Sequence, residues 1–188
     1  MDMKKIIKFR IGLVIFGLLT LSIMLTTVST AFAQEVAVGS ATATVLTALT
    51  VTSSSGITFG NVYQGVAKTI DNTDADAGIF KVTGQVDAGI SLYFQMPEYL
   101  ALSDGSSRMT ISFNSTDCSV DTTGADSPTT MNGTKGWLDT DPRNLPGAVQ
   151  IGSSGTSIYL GSKVTPSIYQ AAGNYSGDII LTVSYNGN

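Results

Sequence analysis

The residues able to do chemistry are few, and their types exclude more than they permit. No histidine occurs in the 188 residues, which removes every imidazole-based triad and every imidazole metal site. The one cysteine, Cys118, sits in Ser115-Thr116-Asp117-Cys118-Ser119-Val120-Asp121. Acids rather than cations flank it, so the thiolate is disfavoured and the residue reads as a buried or idle thiol. Glycoside hydrolysis needs two carboxylates facing one bond. Glu35 and Glu98 are the only glutamates, and Asp139 and Asp141 stand in turn-like sequence with no nucleophile motif around them. The run Asp71 to Gly78, DNTDADAG, is rich in carboxylates but lacks EF-hand spacing and a closing bidentate glutamate, so it reads as a solvated turn. No catalytic residue, metal ligand or cofactor is expected, and the chain is not read as an enzyme.

One cluster retains a binding chemistry. Trp137, Asp139, Asp141 and Arg143 fall in the stretch from Asn114 to Leu145, where hydrophobic periodicity is lost and Asp, Thr, Ser, Asn, Gly and Pro dominate. An aromatic ring beside acids and a guanidinium is the composition of a glycan- or ligand-binding loop. The competing reading makes Trp137 the anchor that holds a long loop insertion, residues 114–145, on the body of the domain. A lone tryptophan with no other clustered aromatics favours the anchor.

These residues must be positioned by strands, since the patterning is that of an all-β chain. The clearest element is the carboxyl-terminal stretch, where Tyr175, Gly177, Ile179, Leu181, Val183 and Tyr185 alternate with Asp178, Thr182 and Ser184. That is a strand with one face in a core, and it completes a sheet either with an earlier part of the chain or with another chain. Phe80, Val82, Gly84 and Val86, the turn Asp87-Ala88-Gly89, then Ile90, Leu92, Phe94 and Met96 read as an antiparallel hairpin ended by Pro97. Met109, Ile111 and Phe113 mark another strand, as do Ile158, Leu160 and Val164 before Pro166. Ile57-Thr58-Phe59-Gly60 is strand-like, with Ile57 and Phe59 inward. Val36 to Thr52 reads as a long, threonine-rich, half-buried strand, of which Ala41 to Thr52 is taken as the domain's own first strand and Gln34 to Ser40 as a free arm, the alternative being a donor strand for another subunit. Seven to nine strands without an amphipathic helix predict an antiparallel, immunoglobulin-like β-sandwich, with a closed barrel as the alternative.

Before this domain stand Lys4, Lys5, Lys8 and Arg10, the apolar run Ile11 to Val28, and Ala31-Phe32-Ala33. That order is a secretory signal peptide, a helix over residues 1–33 with cleavage after Ala33; an uncleaved membrane anchor is the alternative. Removing it leaves residues 34–188 as a single domain with six cations against thirteen carboxylates, a net charge of −7. A surface of that sign, with no basic stripe, argues against nucleic acid and against anionic lipid as partners. The membrane enters only through the transient leader. A lone cysteine forms no internal disulfide, so stability outside the cell must come from packing.

Three stretches resemble the bacterial domain-of-unknown-function family 4402: Leu49-Thr50-Val51 leading to Thr58-Phe59-Gly60, Phe80-Lys81-Val82-Thr83-Gly84 before Ile90-Ser91-Leu92, and Gly173-Asn174-Tyr175-Ser176-Gly177 running to Val183-Ser184-Tyr185-Asn186. The resemblance implies a small exported sandwich, similar in outline to fimbrial subunits. Pilins built by chaperones and ushers likewise end in an alternating apolar strand with an upstream glycine, here Gly173 or Gly177, and a near-terminal tyrosine, here Tyr185. The absent disulfide and the long loop depart from the pilin pattern. The expected function is a non-enzymatic cell-surface or fimbria-like structural or adhesive subunit, located in the periplasm, at the cell surface or outside the cell. Its partners would be itself or other surface subunits, joined by strand addition. The alternative is the secreted binding module built on the loop around Trp137.

Overall fold

The computed structural model describes residues 37–125, 127–128 and 136–187, and the expected leader lies outside them. Two units are distinguished, Met1–Ala43 and Thr44–Asn188. Of the first, only 37–43 are described; they are exposed and belong to no strand.

The second unit is all-β, with thirteen strands and no α-helix among the described residues. A first sheet comprises β1 (Thr50–Ser55), β3 (Gly78–Thr83), β10 (Thr156–Leu160), β7 (Cys118–Asp121) and β8 (Gly136–Thr140), in that order. A second has the order β12 (Tyr175–Ser176), β5 (Tyr99–Leu102), β6 (Arg108–Ser112), β11 (Ser162–Thr165) and β2 (Lys68–Ile70). A third joins β13 (Ile180–Tyr185), β4 (Gly89–Gln95) and β9 (Val149–Gln150). Every ladder between these strands is antiparallel. The second and third sheets share chain runs: β4 passes through Pro97 into β5, and β12 passes through Gly177 into β13. Proline cannot donate to a ladder, which is why the run breaks there.

The expected count was seven to nine, and interruptions of this kind account for the excess. Gly161 likewise divides β10 from β11, which lie in different sheets. A Cβ at this glycine would stand 2.5 Å from the Ile70 carbonyl oxygen, so only a residue without a side chain lets the chain cross there. The core lies between the sheets and takes Phe80 and Val82 from β3, Ile90 and Phe94 from β4, Leu100 from β5, Met109 and Ile111 from β6, and Ile158 and Leu160 from β10. The result is sandwich-like, as the alternation predicts.

Three expectations are corrected. The hairpin of Phe80 to Met96 does not form: β3 pairs with β1 and β10, while β4 pairs with β13 and β9. The connection crosses the core, and Phe80 meets Phe94 edge to face with ring centroids 5.2 Å apart. Alternation alone does not distinguish two neighbours in one sheet from two strands facing each other, because both bury one side of each strand. Asp87, at φ 64°, makes the bend.

The supposed loop insertion of 114–145 holds two strands of the first sheet, β7 and β8. All four residues of β7 are buried, polar Ser119 and Asp121 included. A strand covered on both faces has no alternation to read. Finally, the first strand begins at Thr50, not in the 36–41 region. Thr50 pairs with Thr83, where β3 ends, so no ladder partner is left for residues upstream. Ala41, Ala43 and Val45 are exposed rather than inward.

Candidate assembly groove

The carboxyl-terminal run carries the alternation the sequence predicts. Tyr175, Ile179, Leu181, Val183 and Tyr185 are half-buried and packed against the core, while Thr182 and Ser184 face outward. Gly177 is exposed and outside the ladders; a Cβ there would meet Leu100 Cδ2 at 3.0 Å and the Tyr99 carbonyl oxygen at 3.1 Å. β13 pairs with β4 from Ile180↔Gln95 to Tyr185↔Ile90, and β12 pairs with β5. Both stand at the outer edge of their sheets, as β1 does in the first sheet. One side of each is therefore left without a ladder.

Between these edges lies a groove of about 1110 Å³. One wall runs from Ser53 through Phe59 to Gln64, the other from Gln170 to Ile180, and the floor is Phe80, Leu100, Met109 and Ile111. The floor residues belong to the hydrophobic core. An opening that reaches the core between two unpaired edges has the shape and chemistry of an acceptor for an extended segment: main-chain groups at the rims and apolar space beneath.

Hydrogen bonds fix the two ends of the β12–β13 run, of which Tyr175 to Ile180 line the groove. At one end the Tyr185 hydroxyl donates to the Thr47 carbonyl at 2.6 Å and accepts from the Gln85 amide at 2.8 Å, and the Thr47 hydroxyl meets Gln85 Oε1 at 3.2 Å. At the other, the Gln170 side chain donates to the Tyr175 hydroxyl at 2.7 Å and to Ser107 Oγ at 3.0 Å. There the Gly65 amide also donates to the Ser167 carbonyl at 3.1 Å, and Gln64 Nε2 donates to the Gln170 carbonyl. Tyr175 and Tyr185 thus each pin one end of the same chain run.

Residues 37–48 are almost wholly exposed and precede β1, with Val38 at 93 % and Val45 at 94 % of full exposure. Ala41, Ala43, Val45 and Leu49 fall on one side of an extended chain and Thr42 and Thr44 on the other, with Val38 and Leu46 interrupting the second side and Thr47 the first. Such a segment has the pattern of a half-buried strand without the burial.

The residues of the loop reading do not converge on a site. Trp137, half-buried on β8 opposite Val120, packs against the core. Asp139, at φ 52°, accepts from Asn72 Nδ2 at 3.3 Å, and its amide donates to Ser119 Oγ at 3.1 Å. Asp141 accepts from the Arg143 amide at 2.9 Å, closing a turn, while the Arg143 guanidinium donates to the Phe113 carbonyl. Each therefore has a partner within the fold. Cys118 is buried, and that burial pushes its thiol up to about 12, well away from thiolate chemistry. Among the described residues no group of His, Cys, Asp and Glu is arranged to hold a metal.

Sequence reasoning found the terminal run but not the groove floor or the 56–64 wall. The signal available was Ile57 and Phe59, two apolar residues in a stretch without a ladder partner. No protein-family model matches the chain, and no curated protein matches it.

Proposed function

We propose that this protein is an exported, non-enzymatic structural subunit that assembles by strand addition, residues 37–46 of one copy entering the core-lined groove of another. The observation that carries the reading is the pairing of two incomplete features in one chain. A groove opens onto Phe80, Leu100, Met109 and Ile111 between unpaired strand edges, and an alternating segment upstream of β1 is left exposed. The free edge of β12 and β13 spans on the order of 35 Å from Tyr175 to Tyr185 when extended, its first half lining the groove, and residues 37–46 span about 33 Å at strand rise. An added strand would gain main-chain hydrogen bonds at the rim and bury apolar surface at about 25 cal/mol per Å². The signal-like leader, Lys4 to Ala33, supports an exported role for the same reading. The loop around Trp137 lends no comparable support to a ligand-binding module, because its ring is turned toward the core.

The test compares the mature chain with a variant lacking residues 34–46. The full chain should form a ladder of multimers in light scattering, whereas the truncated chain should stay monomeric and bind a labelled peptide of residues 37–49. A truncated chain that still multimerises, or a groove indifferent to the peptide, would sink the reading.

A further inference from the structure

We infer that the outer face of the second sheet, around Arg108 and Lys163, binds a linear acidic polysaccharide, the two cations taking acid groups on separate sugars. The same strands turn Leu100, Met109 and Ile111 inward to floor the groove. None of the residues invoked on the outer face lines that groove, so the inference stands apart from strand addition.

The net charge of −7 over residues 34–188 conceals a segregation. No Asp or Glu occurs among the strand residues of the second and third sheets, and the strand carboxylates, Asp121 and Asp139, both belong to the first. The second sheet carries Lys68, Arg108 and Lys163 instead. Lys68 is already used, its amine donating to the Phe59 carbonyl. Alternation sends the other two outward: Met109, Ile111 and Val164 are buried in the core, so Arg108, Thr110, Ser112, Lys163 and Thr165 take the opposite side. On that side Thr110 lies between Tyr99 and Thr165, and Lys163 between Ser112 and Thr69.

Both cations lack a counter-ion within the fold. The Arg108 guanidinium stands over the Tyr99 ring, 5.9 Å from its centroid, a contact that orients the planar fork without using its N–H groups. Among the described residues, neither this guanidinium nor the Lys163 ammonium has a hydrogen bond or an ion pair. The carboxylate in the β5–β6 turn, Asp104, accepts from the amide and the hydroxyl of Ser106. A guanidinium oriented in advance and left unpaired is suited to an incoming anion.

Spacing selects the kind of anion. Arg108 and Ser112 are four residues apart on β6 and Lys163 lies opposite Ser112, which puts the two cations on the order of 14 Å apart at Cα. A nucleic acid strand, with a phosphate about every 3.4 Å, would leave several charges unneutralised between them on a domain of the same sign. A chain in which acidic and neutral sugars alternate spaces its acid groups more widely. The hydroxyls of Thr69, Thr110, Ser112 and Thr165 are then available to the neutral sugars. An open sheet face suits an extended polymer, whereas small ligands take clefts.

The test titrates hyaluronate, in which acidic and neutral sugars alternate, into the chain of residues 34–188 by calorimetry. Neutral dextran, single-stranded DNA and phosphatidylglycerol vesicles are the other arms. Hyaluronate should bind, more weakly as salt is raised, and dextran should not. Arg108→Gln and Lys163→Gln should each weaken binding about fivefold or more, and Tyr99→Leu should weaken it by releasing the guanidinium. Lys81→Gln, which removes the same charge from the first sheet, should change binding by less than about twofold. Urea unfolding of each variant separates lost binding from lost fold. No binding of hyaluronate by the unaltered chain, equal binding of dextran, or a loss with Lys81→Gln as large as with Arg108→Gln overturns the site. Tighter binding of DNA or of the vesicles overturns the polysaccharide as its ligand. Strand addition is decided separately, by the peptide in the groove.

Discussion

Tyr185 joins three parts of the chain through one oxygen. It accepts from the Gln85 amide and donates to the Thr47 carbonyl, residues 100 and 138 positions away in sequence. Gly84 makes room for it, because a Cβ there would stand 2.5 Å from the hydroxyl. Replacing Tyr185 by Phe keeps the ring but leaves the half-buried Gln85 amide without its acceptor. The expected cost is about 1–2 kcal/mol, read as a lower midpoint in urea with an unchanged slope; an unmoved midpoint would mean the bond contributes nothing net. A near-terminal tyrosine on an alternating strand was legible in the sequence. Its partners were not, since nothing in the order of residues ties Thr47 or Gln85 to position 185. The same holds for Arg143, whose guanidinium is used on the Phe113 carbonyl and not on a ligand.

At the scale of elements, what could be read was any strand with one wet face. The runs of β3, β4, β6 and the terminal stretch were all visible as alternation, and the structure keeps them. β7 escaped because Cys118, Ser119, Val120 and Asp121 are buried on both faces and include two polar residues. β5 and β8 escaped because Pro97 and the Thr- and Gly-rich stretch before Trp137 masked short strands. The β3–β4 crossing was misread because periodicity reports which side is buried, not which strand lies beside it. That crossing has a measurable signature. Phe80→Leu and Phe94→Leu should each destabilise, and the double variant should fall short of their sum by about 0.5–1.5 kcal/mol, the coupling of an aromatic pair in contact. Additive losses would speak against the edge-to-face contact.

Taken whole, the chain has a core-lined groove in its second unit and an exposed segment upstream of β1. Strand addition as proposed would be a heterologous contact, giving an open line or a closed ring of copies according to its rotation rather than a symmetric pair. If the groove accepts a strand antiparallel to β13, it should accept one supplied in the same chain. Joining residues 37–49 after residue 187 through a short turn, in a variant lacking residues 34–46 at its start, should give a monomer that melts several degrees higher than the truncated chain. Calorimetry and light scattering check this, and a construction-insensitive melting temperature would count against the groove being a strand acceptor. The order of pairing also constrains how the domain comes into being. Phe80 lies opposite Ile158 and Leu92 opposite Val183, so β3 has only β1 beside it, and β4 has no ladder partner, until most of the polypeptide has been synthesised. A nascent chain stopped short of residue 180 would lack β13 and leave one side of β4 unpaired above the core, an aggregation-prone state for as long as it lasts.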